Sequence, residues 1–269
     1  MKMRRAFADL PGLQVHYWHG GQGRTPLLFL HPGPGSARSQ VPLLEQFAET
    51  RAVYAPDLMG MGDSDPLPND TPEVADFAAA LLEFADILGL ATFDLVASSV
   101  GARIGIEIAI AAPHRVRKMV LNRVVDTRAE QLEEMKKFHA PQVEPEPSGS
   151  YTMFVWNRMR SLYLYFPWFK QKAENARKRD LPPAHVLHTS FIEQIKMCTT
   201  AYRVFDAGWR FPLDRKLPLV KVPTLARKDA ATLIPGSAVW EPTLSEEPLI
   251  ASAENLAAFA ADAVRFLDA

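Results

Sequence analysis

Apolar and polar positions follow a repeating scheme along the chain. Residues 13–19 alternate and stop at Gly20-Gly21-Gln22-Gly23, and PLLFLH then forms a short continuous apolar run closed by a Gly/Pro cluster. This predicts a hairpin followed by a strand buried on both faces. Further buried strands are predicted at 51–56, 93–98 and 118–122, with helical periodicity between them. Alternating strands and helices predict the α/β class: a mostly parallel twisted sheet with helices on both faces.

The helix after the second buried strand is punctuated by Thr71 as a cap, Pro72 as the first helical residue and Gly89 just past the end. Residues 101–112 are small or apolar nearly all round, which a helix tolerates when packed between layers, so this is the expected central helix. After Asp126 the pattern changes to a charged helix over 129–139, the Pro-rich break PQVEPEPSGS and a stretch crowded with aromatics over 151–169. It reads as an insertion. The α/β pattern resumes at 219–226, and a last amphipathic helix places Leu256, Phe259, Ala263, Phe266 and Leu267 on one face.

Composition narrows the partners. With 269 residues, 48% hydrophobic and 23% charged, the chain has the make-up of an ordinary globule. Thirty Lys+Arg against 31 Asp+Glu leave a net charge of −1, so no single-sign field gathers nucleic acid or anionic lipid. The longest apolar stretch, 104–112, is interrupted by Gly105 and Glu107 and falls short of the ~20 residues of a membrane span. MKMRR runs into AFADLPGLQ without a signal-type apolar run, and Cys198 has no intrachain partner. A reducing, cytoplasmic setting is expected. The histidines and acids are not at metal-ligand spacing, and Gly60-Met61-Gly62 lacks the third glycine of a dinucleotide turn, so neither metal nor cofactor is expected. The expected partner is a small molecule, with a homodimer left open.

The sharpest local feature is Ala97-Ser98-Ser99-Val100-Gly101, between a buried strand and the central helix. Small residues two before and two after Ser99 suit a nucleophile elbow, where larger side chains would collide. Either serine could instead cap the helix. Two companions favour the elbow: His31-Pro32-Gly33-Pro34-Gly35 after the first buried strand and Asp57-Leu58-Met59-Gly60-Met61-Gly62-Asp63-Ser64-Asp65 after the second.

In this order and spacing the three segments resemble the alpha/beta-hydrolase superfamily. The resemblance covers residues 1–125 and 216–269 as the core, with 126–215 where a helical cap or lid is inserted. It implies Ser99 as nucleophile, with the backbone N–H groups of Val100 and Gly33 as the oxyanion hole. Pro32 and Pro34 have no N–H to give, which leaves Gly33. His31 is implied to order this loop. The family's acid falls on Asp229 or Asp126. Its late base histidine has no counterpart: the seven histidines are His16, His19, His31, His114, His139, His185 and His188, and the expected position falls on Leu249. His185 or His188 of the cap is the candidate substitute.

Eight aromatics, among them Phe154, Trp156, Tyr163 and Trp168, fall within 151–169 and suggest a flat, apolar-bodied ligand. Together with His31 and Ser98 these four are expected beside the substrate. Arg158 and Arg160 are expected to be solvated on the cap helix, and Arg103 to pair with Glu107. The sequence thus predicts an enzyme acting on a small, largely apolar or aromatic carbonyl compound, an ester, lactone or C–C bond, through Ser99. The alternatives are a lyase, cyclase or isomerase of the same fold, motivated by Leu249, and a catalytically silent binding protein.

Overall fold

The computed structural model describes residues 2–124, 129–177, 179–240 and 253–269. Among them eight strands form one sheet: β1 (Arg4–Leu10), β2 (Leu13–Gly20), β3 (Leu27–Leu30), β4 (Val53–Pro56), β5 (Phe93–Ser98), β6 (Val116–Arg123), β7 (Thr224–Arg227) and β8 (Ala238–Trp240). Their order is β1-β2-β4-β3-β5-β6-β7-β8. β1 and β2 make the expected hairpin, β2 pairs antiparallel with β4, and every later pairing is parallel. The four residues of β3 show why: all are buried, with Leu28 and Leu30 in one apolar cluster and Leu27 and Phe29 in the other. A strand covered on both faces needs no polar alternation.

The helices fill the two faces. α1 (Val41–Phe47) lies with the last helix on one side, while α2 (Val74–Ile87) and α3 (Val100–Ala111) lie on the other. Between β6 and β7 come α4 (Ala129–Phe138), α5 (Ser150–Leu164), α6 (Ala184–Lys196), α7 (Ala201–Arg210) and the short α8 (Leu213–Lys216). α9 (Lys228–Ala231) follows β7, and α10 (Ala253–Asp268) buries Phe259, Ala263 and Leu267 as its apolar stripe requires. No helix among the described residues is long and apolar enough to cross a membrane. α2 starts two residues later than its punctuation suggests. Its cap is Glu73, which exchanges bonds with Asp76 in a capping box, so Thr71 and Pro72 lie outside the helix. Gly89, at φ +68°, ends it as expected.

One buried charge network fastens the C-terminal helix to the sheet. The Arg51 and Asp94 side chains are both fully buried, with Arg51 Nη1 donating to Asp94 Oδ2 at 2.9 Å and Arg117 Nη2 to the same oxygen at 2.7 Å. Arg51 also pairs with Asp268 at the end of α10. Removing one member strands the others without water. Asp94→Asn is therefore expected to lower the unfolding free energy by about 3 kcal/mol at unchanged urea m-value. A loss below about 1 kcal/mol would show that Asp268 alone satisfies Arg51.

Candidate active site

Ser99 closes β5 and precedes α3 with φ +56° and ψ −123°, a region that residues with a side chain rarely occupy. Its N–H donates to the Arg123 carbonyl at 2.7 Å, its carbonyl accepts from Ala102 N at 3.1 Å, and its side chain makes no capping bond. The helix-cap alternative is thereby excluded for Ser99. The small neighbours have a steric cause. A Cβ on Gly101 would stand 2.7 Å from the His31 carbonyl oxygen and 2.8 Å from that of Leu30, so α3 can start only by passing directly over the end of β3. Ala97 stands opposite Gly105, whose own Cβ would meet it at 3.1 Å.

The loop after β3 is held by its histidine. His31 is fully buried, its Nε2 accepts the Leu58 N–H at 2.9 Å and its Nδ1 donates to the Pro32 carbonyl at 2.9 Å. Burial pulls its pKa below the ordinary histidine value, against the opposing pull of Asp57, the Pro32 carbonyl and Glu193. A neutral imidazole suits one accepting and one donating nitrogen. The 57–65 turn is organised by Asp57, whose carboxylate accepts from Ala37 N at 2.8 Å and Asp63 N at 3.1 Å and meets His16 Nδ1 at 2.8 Å. Gly62, at φ +58°, is required there because a Cβ would lie 2.1 Å from Asp57 Oδ2. His16, Asp57 and Asp63 lie close enough to share an ion. Their partners, including Lys196 at 2.8 Å from Asp63, already explain them as a brace.

A cavity of about 320 Å³ lies where these loops meet the helical insertion. Ser98, Ser99, Val100 and Gly33 border it, as does Tyr163, whose hydroxyl bonds Ser190 at 2.9 Å. His31 lies behind the loop and does not reach the cavity wall. Phe154, Trp156 and Trp168 are not on that wall either. Phe154 packs edge-on to Trp168, Trp156 to Phe191, and the Trp168 indole donates to the Phe138 carbonyl at 3.0 Å. Asp229 sits exposed in the first turn of α9, accepting from Ala230 N, away from the cavity. Asp126 and Leu249 lie outside the described residues. His185 borders the cavity from an exposed position, whereas His188 is exposed elsewhere.

Several wall residues escape sequence reasoning. His139, just past α4, is 7% exposed and borders the cavity between the rings of Phe166 and Phe205, at 5.9 and 5.7 Å. Burial, then Arg158, Arg123 and Arg177, lower its pKa to about 3. Arg158 is not solvated: it is 4% exposed, and burial takes its pKa to about 10 against the pull of Cys198. Glu107 accepts from Lys216 at 2.8 and 3.1 Å, and Arg103 reaches the cavity with its chain against Gly208. Glu193 is buried on α6, accepts from Ser36 Oγ at 2.5 Å and ties the insertion to the β3 loop. Only folding brings Arg103, Arg123, His139 and Glu193 to one wall, since they lie on α3, β6, the segment after α4 and α6.

His139 is neutral in the fold but titrates near 6.5 once unfolded. Because its folded pKa is the lower one, acid favours the unfolded chain from about 6.5 down to about 3, by up to about 1.4 kcal/mol per pH unit. The urea midpoint is expected to fall between pH 7 and pH 5, and His139→Gln to remove part of that fall. An identical pH slope in His139→Gln would overturn the assignment of a neutral, buried imidazole.

Comparison with known proteins follows this geometry. Residues 25–144 match the model of the alpha/beta hydrolase fold family. Over 116 residues the chain is 34% identical to 2-hydroxy-6-oxononadienedioate/2-hydroxy-6-oxononatrienedioate hydrolase 2 of Pseudomonas putida, covering 40% of each chain. It is 32% identical over 115 residues to the dihydrolipoyllysine-residue acetyltransferase component of the acetoin cleaving system of Cupriavidus necator, covering 43% of this chain and 30% of that one. The chain thus spans less than half the length of these two relatives. Among solved structures, the enol-lactonase of Burkholderia xenovorans LB400 superposes with a TM-score of 0.74 at 18% identity, over 98% of this chain and 100% of that one. The bromoperoxidase of Bacillus anthracis gives 0.74 at 17% identity, over 99% and 100%. The strand order and these likenesses together identify the chain as a protein of the alpha/beta-hydrolase fold.

Proposed function

We propose that the chain is a hydrolase-like enzyme acting on a small carbonyl compound, an ester, a lactone or a C–C bond next to a carbonyl, through Ser99. The observation that carries this reading is the positive-φ serine at the head of α3, on a cavity wall shared with Gly33 and Val100. Ser99 Oγ attacks the carbonyl carbon and gives its proton to a base, the carbonyl π pair moves to oxygen, and the resulting oxyanion faces the N–H groups of Gly33 and Val100. The positive end of α3 adds to their effect. Collapse expels the leaving group, which takes up the proton, and water then releases the acyl group by the reverse steps. The insertion over 126–215 acts as a cap that excludes water, since α5, α6 and α7 supply Tyr163, Glu193 and Phe205 to the same wall. The names of two similar proteins, the oxononadienedioate/oxononatrienedioate hydrolase of Pseudomonas putida and the enol-lactonase, support the substrate class.

The base is the point on which a second reading turns. His139 is held so far below neutrality that it is a poor proton acceptor at pH 7, and His185 is exposed at the rim. With Leu249 at the expected histidine position, a lyase, cyclase or isomerase using the oxyanion hole while the substrate supplies its own base is the specific alternative. A fluorophosphonate probe distinguishes them by intact mass. The hydrolase reading expects one adduct per chain, lost in Ser99→Ala. An adduct that persists in Ser99→Ala, or none on folded protein, overturns it in favour of the second reading.

A further inference from the structure

The cavity wall away from the β3 loop carries a group that the hydrolytic scheme does not use. His139 is nine-tenths buried, it borders the cavity, and its Nδ1 has no hydrogen-bond partner. An imidazole that borders a cavity with an unpartnered nitrogen calls for a polar partner from a ligand or from water. The surroundings specify its charge. The Phe166 ring beside His139 carries the Arg123 guanidinium at 5.5 Å and that of Arg177 at 5.3 Å, and Arg123 and Phe166 themselves border the cavity. Arg158 on α5 adds a third guanidinium close enough to His139 to act on its charge, with Cys198 on its far side.

We propose that His139, Arg123 and Phe166 form an anion subsite that takes a single carboxylate of the ligand, with the imidazole as hydrogen-bond donor and the guanidinium held over the Phe166 ring. The site is therefore selective for a carbonyl compound that is also a monoacid, not for a purely apolar one. Two features favour a carboxylate over a phosphate dianion. A carboxylate carries one negative charge, and the same cavity contains the buried Glu193 carboxylate, which repels a dianion. The apolar floor of Met159, Phe205 and Trp209 accommodates the rest of a flat molecule. Burial first, and then the positive neighbours, keep the imidazole neutral, which preserves it as a hydrogen-bond donor across the physiological range instead of a titrating cation.

The inference rests on reading the cavity as the substrate site, yet its test reads binding alone. Phenylacetate and its neutral isostere phenylacetamide are titrated calorimetrically into the full chain. The acid is expected to bind at least about ten-fold more tightly than the amide, and Arg123→Gln to remove that preference while leaving amide binding within about two-fold. His139→Gln is expected to reduce the preference as well, and it carries the test if Arg123→Gln does not fold. Equal binding of acid and amide, no acid binding up to about 20 mM, or equal weakening of both by the variants overturns the subsite. Ser99→Ala keeps the acid preference. Loss of fluorophosphonate labelling with the acid preference intact counts against the hydrolase reading alone, and labelling without that preference counts against the subsite alone.

Discussion

α3 has to begin within contact distance of the end of β3, and most of the site follows from that approach. The Leu30 and His31 carbonyls stand where a Cβ at position 101 would be, so the chain can turn from β5 into the helix only with glycine there and with Ser99 at φ +56°. A side chain in that region is strained by of order 1–3 kcal/mol, and it persists where neighbours over-determine it. Here the neighbours are identifiable. The Arg123 carbonyl takes the Ser99 N–H, and the β5–β6 register shifts between Ala97 and Ser98 to allow it. The same crowding sets the hydroxyl out at the end of the sheet beside the β3 loop.

That loop needs its own support, because Pro32 and Pro34 leave it with few backbone donors. Support comes from a buried histidine and two carboxylates, one of which, Glu193, also borders the cavity. His31 links the loop to Leu58, Asp57 links the following turn to Ala37, and Glu193 reaches from the insertion to Ser36. The glycines and acids of the 57–65 motif are thus a bracing device that ties this turn to the β3 loop and to β2.

Much of this could be read from the sequence, for a definite reason. β3 is a continuous apolar run, β5 and β6 carry apolar stretches at 95–97 and 119–121, and the motifs around Ser99, Gly33 and Asp57 are local steric solutions, each written in a few adjacent residues. The placement of Ser98, Ser99, Val100 and Gly33 beside one cavity was accordingly legible. The insertion was not. Its aromatic density is visible in 151–169, but which rings face the cavity depends on helix packing, and Phe154, Trp156 and Trp168 are taken up by one another and by Phe138 and Phe191. Burial of Arg158 has the same origin. Its neighbour Arg160 on the same helix is exposed, and nothing in the sequence around the two separates them. His139 sits at the junction of a charged helix and a Pro-rich break, a place that reads as surface until Phe166 and Phe205 close over it.

The electrostatics of the cavity bear on how a serine site could work without the usual histidine. A developing oxyanion gains from every positive group near it, and the wall carries Arg103 and Arg123 in addition to the N–H groups at the head of α3. Burial first, and then the same positive field, make a protonated imidazole costly and lower the pKa of His139 to about 3. Such a cavity stabilises negative charge on a substrate better than it stabilises positive charge on a base. In the proposed scheme this distribution of charge favours the oxyanion that forms as Ser99 adds to the carbonyl, and it leaves the accompanying proton to a group outside the positive field.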